Sequence, residues 1–270
     1  MELQEVCSYL TAEDNALDGL VAELDVAAWA TPTPAPGWTI GHQIAHLAFI
    51  AHLARLAASD GAAFEAEVAP ARIDFQGSVD TVLAEYMADG QEGVMARWRS
   101  ERSAATGALL AVPAGQMVPW LVNPLPPSVL AAAGYMETFG HGQDVADALG
   151  VRRERTDRIK HLVAFGLHTR AFGYMAHGIK PPEEQFRLEL TAPSGARWEF
   201  GPADATQLVR GSAWDFCLLI TRRRHRDDLD LTAVGAEADR WLNIAQAYRG
   251  PAGEGRQPGQ FADAQSSQAA

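Results

Sequence analysis

The sequence predicts an α+β protein, a helical region to about residue 180 followed by a small α+β domain. Three observations carry this. Apolar residues recur at helical spacing from residue 2 to about residue 177. The character changes at Pro181-Pro182, beyond which Phe186–Leu190 and Arg197–Phe200 alternate apolar and polar with period two. The 47% hydrophobic and 21% charged content is that of a globular chain. These place a helical bundle at 1–180, a small α+β domain at 181–249 and a disordered tail at 250–270, the last rich in Gly, Pro, Gln, Ser and Ala.

The elements follow in order. Leu3, Val6, Leu10, Leu17, Leu20, Val21 and Leu24 form the apolar face of a first helix. Pro32, Pro34 and Pro36 exclude helix and impose an extended linker. Thr39 can cap a second helix that stops at Asp60-Gly61. Ser78 to about Ala111 reads as one long helix or two, with Val82, Leu83, Tyr86, Met87, Val94, Met95 and Trp98 inward. Its Arg97, Arg99 and Arg102 either hold an anion or form a solvated face.

The loop 112–127 carries Trp120 and immediately precedes a helix capped by Ser128 and stopped at Leu149-Gly150. A helix over about 157–177 contains His161 and His168, read as structural. The hairpin with its turn at Ala192–Gly195, a third strand at Gln207–Arg210, and helices at Ser212–Arg222 and Ala236–Tyr248 complete the second domain.

With 22 basic and 34 acidic residues the net charge is −12, which argues against nucleic acid or an anionic membrane as partner. No apolar run approaches the ~20 residues of a membrane span. Residues 1–30 lack a basic n-region, so no signal peptide is expected. Cys7 and Cys217 are far apart, imply no disulfide framework and suit a reducing cytoplasm. The quaternary state is left as monomer or homodimer.

The chemistry centres on Gly134–Leu149. Glu137 and His141 are four apart, so on a helix both stand on one face. A carboxylate and an imidazole so placed either grip a metal ion or form a solvated pair. Asp144 is placed to accept the proton of the other ring nitrogen of His141. A third ligand candidate is His46, set among Ile40, Ile44, Leu47 and Ile50; alone it reads equally as a hydrogen-bonded core histidine.

Pro36-Gly37-Trp38-Thr39, then His46-Leu47, then Glu137-x-x-x-His141-x-x-Asp144 resembles the DinB-like metalloprotein superfamily, in its mycothiol-dependent maleylpyruvate isomerase branch. The resemblance implies a four-helix bundle holding one divalent metal, commonly zinc, on His46, Glu137 and His141. His42 stands where relatives often have Asp, which leaves it open as a ligand or a supporting group. The resemblance also implies a sterol-carrier-like C-terminal domain, and an arginine from it, Arg222 or Arg223, on a substrate carboxylate. Trp38, Trp120 and Tyr135 are expected to wall the pocket.

Three protein ligands leave a position open, as in catalytic zinc sites. The resemblance implies that a small-molecule thiol, mycothiol in actinobacteria, docks on the metal and adds to a small organic electrophile. The outcome is isomerisation or S-transfer. Two alternatives stay open: a hydrolase or cyclase using metal-bound water or Lewis-acid activation, and a non-catalytic metal-dependent binding protein.

Overall fold

A computed structural model describes residues 2–261. The chain divides into two compact units, 1–152 and 153–270.

The first unit is helical. Its elements are α1 (Leu3–Val21), a single turn α2 (Val26–Trp29), α3 (Ile40–Ser59), α4 (Gly61–Val68), α5 (Phe75–Ala88), α6 (Gly90–Ala111) and α7 (Pro127–Leu149). The bundle is made by α1, α3, α6 and α7, with α3 packed most extensively against α6 and α1 against α7. Helix α3 is central because it is apolar nearly all round: Ile40, Ile44, Ala45, Leu47, Ala48 and Leu53 are all buried. All of these but Leu53 join Leu17 and Val21 of α1, Val94, Met95 and Trp98 of α6 and Val145 of α7 in one core, to which all four long helices contribute.

Local sequence sets the helix ends. Asp60 and Asp74 accept the Ala63 and Gly77 amides and start α4 and α5. The 78–111 stretch is two helices, divided where Gly90 takes φ +70°. Helix α7 begins at Pro127, whose missing N–H costs nothing there, and the Ser128 side chain makes no cap. It ends on Gly150 at φ +66°, where the Gly150 amide donates to Asp147 O and the Val151 amide to Ala146 O. That paired closure needs a left-handed residue, which glycine supplies without a Cβ clash.

The segment 31–39 is not the extended linker its prolines suggest. The Thr33 amide donates to Trp38 O at 2.8 Å, the Trp38 amide to Ala35 O at 3.0 Å, and the Ile40 amide to Thr31 O at 3.1 Å. The non-proline residues carry the donors, so the loop folds back on itself and presents Trp38 beside the start of α3.

In the second unit, α8 (Lys160–His168) and α9 (Ala171–Ala176) precede β1 (Phe186–Thr191), β2 (Arg197–Phe200) and β3 (Gln207–Ser212), followed by α10 (Ala213–Ile220), β4 (Leu231–Val234) and α11 (Ala236–Ile244). The boundary therefore falls near residue 152 rather than 180, and α8 belongs with α10: a Cβ at Gly166 would meet Ile220 and Phe216. The sheet has four strands in the order β2-β1-β3-β4, with β1 and β3 parallel and the outer pairs antiparallel. Phe186, Leu188, Leu190 and Val209 are buried, and Trp241 of α11 meets the rings of Phe186 and Phe216 edge-on.

Of the tail expected to be disordered, 250–261 runs along this unit. The Gly259 amide donates to Asp228, and Arg224 lies over the Phe261 ring. Residues 262–270 lie outside the described residues.

Candidate metal centre

The three candidate ligands come together in the first unit. His46 stands on α3, and Glu137 and His141 stand one turn apart on α7. His141 Nε2 is 3.2 Å from Glu137 Oε2, and His46 Nε2 is 3.7 Å from the same oxygen. One ligand atom from each lies within 4.8 Å of the others. Donors on a tetrahedral ion with ~2.05 Å bonds stand ~3.3 Å apart, so the spacing suits a small divalent ion. Burial by itself would raise the Glu137 pKa, but hydrogen bonds and charge from His141 and His46 hold it well below the usual carboxylate range.

Trp38 covers the pair of imidazoles. Its ring lies 5.8 Å from His141 in a stacked arrangement and 5.2 Å from His46, and the two imidazoles are 4.6 Å apart. The fold of the 31–39 loop delivers the indole there.

His141 is oriented by Gln43, a residue outside the motif that marks the candidate ligands. Its Nδ1 lies 2.5 Å from Oε1 of Gln43, a fully buried amide three residues before His46 on the same face of α3. The Gln43 amide in turn donates to Thr33 Oγ1 at 2.7 Å. Gln43 therefore takes the part assigned to Asp144, which is also buried on α7. A polar side chain inside the apolar run Ile40–Phe49 was the available signal.

Other expectations are redistributed. His42 is in the capping box of α3: its Nδ1 accepts from the Thr39 amide at 3.3 Å and pairs with Thr39 Oγ1 at 2.8 Å. The metal-competent group comprises His46, Glu137 and His141 without it. Tyr135, two residues from Glu137, turns away, and its hydroxyl donates to Glu13 at 3.2 Å. Trp120 stacks on Phe64 of α4, 5.7 Å away, and so anchors the 112–126 loop. Arg97 pairs with Asp89, while Arg99 and Arg102 both hold Asp18, which explains the basic run on α6.

In the second unit Arg222 takes φ +58° just past α10, and Arg223 Nη1 donates to Thr221 O at 2.6 Å. Arg226 pairs with Asp239 and Asn243. A small cavity of about 40 Å³, room for a water, lies between α1, α3, α6 and α7, walled partly by Asp14, Arg102, Glu137 and Thr138. Among the described residues no helix is long and apolar enough to cross a membrane.

Comparison with known proteins gives the chain its relatives. Residues 10–146 match the family model described as mycothiol maleylpyruvate isomerase N-terminal domain, and residues 182–234 match one described as wyosine base formation. Two uncharacterized proteins of Mycobacterium tuberculosis, from strains CDC 1551 and H37Rv, are each 45% identical over 92% of this chain and 96% of their own. The crystal structure of the mycothiol-dependent maleylpyruvate isomerase has a TM-score of 0.60 at 16% identity, covering 86% of this chain and 93% of that one. A mutant form of it gives 0.58 over the same shares. The α+β architecture of a helical region and a small mixed sheet is thus shared with that enzyme. On the match over half its length, the chain belongs to the mycothiol maleylpyruvate isomerase N-terminal domain family.

Proposed function

We propose that the protein is a zinc-dependent enzyme that uses a small-molecule thiol, mycothiol, on a small organic electrophile, as an isomerase or an S-transferase. The convergence of His46 Nε2, Glu137 Oε2 and His141 Nε2 carries this reading. Family membership and the likeness to a mycothiol-dependent isomerase support the choice of thiol.

A zinc ion held by three protein ligands has a position open, and lowers the pKa of a thiol, ~8.5 when free, so that it serves as thiolate at neutral pH. The chain's own residues supply the setting. His46 and His141 offer imidazole nitrogens, and Glu137 offers a carboxylate held ionised between them. Trp38 excludes water from one side of the imidazoles. No protein cysteine suits the thiolate role: burial pushes the Cys7 thiol up to about 11 and the Cys217 thiol well above its usual value. Their burial is consistent with an external thiol as the nucleophile. Either Arg222 or Arg223 is proposed for a substrate carboxylate, for which a guanidinium fork is suited. A cytoplasmic location, where such thiols stay reduced, belongs to the same reading.

Elemental analysis tests the centre. Wild-type protein should carry about one divalent ion per chain. His46→Ala and His141→Ala should lose it while keeping the wild-type circular dichroism spectrum. Unchanged metal content in both variants contradicts the assignment.

A further inference from the structure

Thr33 and Gln43 form a chain of one-way hydrogen bonds that ends on His141. The Trp38 carbonyl can only accept, so the Thr33 hydroxyl, 3.0 Å away, spends its single hydrogen there. Thr33 Oγ1 is then left as an acceptor, and the group 2.7 Å from it must be the amide nitrogen of Gln43. That turns the Gln43 carbonyl oxygen toward His141 Nδ1. A carbonyl oxygen cannot donate, so Nδ1 carries a hydrogen, and Nε2, 3.2 Å from Glu137 Oε2, is the nitrogen that gives up its hydrogen when a cation takes that place. Flipping the Gln43 amide would set an N–H against Nδ1 and an oxygen against Thr33, which would then lose its bond to Trp38.

We propose that Thr33 and Gln43 are positioning residues that hold His141 in the one tautomer able to bind a metal through Nε2. The fold supports them at each step. Gln43 is fully buried, so it has no solvent to turn toward. Thr33 is pinned in the folded loop by its own amide bond to Trp38 O. The loop thereby acts twice on the same imidazole, through the Trp38 ring on its face and through Thr33 and Gln43 on its edge. A neutral amide at this place also leaves the two imidazoles and one carboxylate with a single negative charge. A divalent ion bound there keeps net positive charge for an anionic ligand such as a thiolate.

The consequence for affinity rests on the metal reading above; the tautomer does not. Ring-nitrogen NMR of ¹⁵N-labelled, metal-free protein, at a pH where the ring is neutral, reports which His141 nitrogen bears hydrogen. A His141→Ala spectrum identifies its signals. Wild type and Thr33→Ser should show hydrogen on Nδ1. The nearly isosteric Thr33→Val should show a tautomer mixture and weaker zinc binding in chelator competition, and Gln43→Leu should weaken zinc roughly 10–100-fold. A bare Nδ1 in the wild type overturns the proposal. So does a Thr33→Val protein with unchanged tautomer and unchanged zinc affinity. The Thr33 pair keeps the test valid even if Gln43→Leu fails to fold, since Val keeps the shape of Thr without its hydroxyl and Ser keeps the hydroxyl.

Discussion

Asp14 shows what a buried charge does in this bundle. It is 4% exposed, accepts from the Thr138 hydroxyl at 2.9 Å and is drawn down by Arg102, yet burial dominates and raises its pKa from 3.8 to about 7. A carboxylic acid favoured in its protonated form by folding contributes stability below its unfolded pKa. That contribution is lost as pH rises from about 4 through about 7. Asp14→Asn keeps the acceptor for Thr138 and removes the titration. It should raise stability at pH 8 by up to about 4 kcal/mol and flatten the stability profile between pH 4 and 7. Urea melts across that range measure it; a destabilised variant at pH 8 contradicts the assignment. Among residues, His46, Glu137 and His141 were legible because helical spacing and a family motif mark them. Gln43 was not, because its partner lies 98 positions away and no local pattern joins them.

At the scale of elements, the helices were legible and the polar turns less so. Apolar periodicity places α1, α3, α6 and α7, and Gly150 marks the end of α7. Strand β4 escaped because Leu231–Val234 has four residues and one buried side chain, too short for an alternation to register. The proline loop escaped because prolines report the backbone angles they exclude, while its fold depends on the amides between them. Close approach of elements gives a sharp prediction in the second unit. A Cβ at Gly173 of α9 would fall 2.2 Å from the Ile244 carbonyl at the end of α11. Gly173→Ala should therefore cost about 2 kcal/mol or more and lower Tm by several degrees. Gly107→Ala, on the exposed side of α6 with nothing within 4 Å, should stabilise by up to about 1 kcal/mol. Equal melting curves for the two variants contradict the packing.

Over the whole molecule, a strongly acidic chain, net −12, builds its candidate centre inside one unit from two helices and one loop. Helix α3 supplies both a candidate ligand and the amide that orients another, α7 supplies the other two candidates, and the loop before α3 supplies the indole over them. The fold class came through in sequence because bundle periodicity and the period-two hairpin differ so clearly. The division between the units did not, since α8 is as helical in pattern as its predecessors and only its partner, α10, assigns it. The central claim is that His46, Glu137 and His141 hold a metal that takes an external thiol. Cobalt-substituted protein titrated with mycothiol tests it most directly. A thiolate-to-cobalt absorption band should grow to saturation at about one thiol per chain and be absent in His141→Ala. Cobalt bound in the wild type with no such band at saturating mycothiol would contradict the thiol chemistry and favour a hydrolase or cyclase.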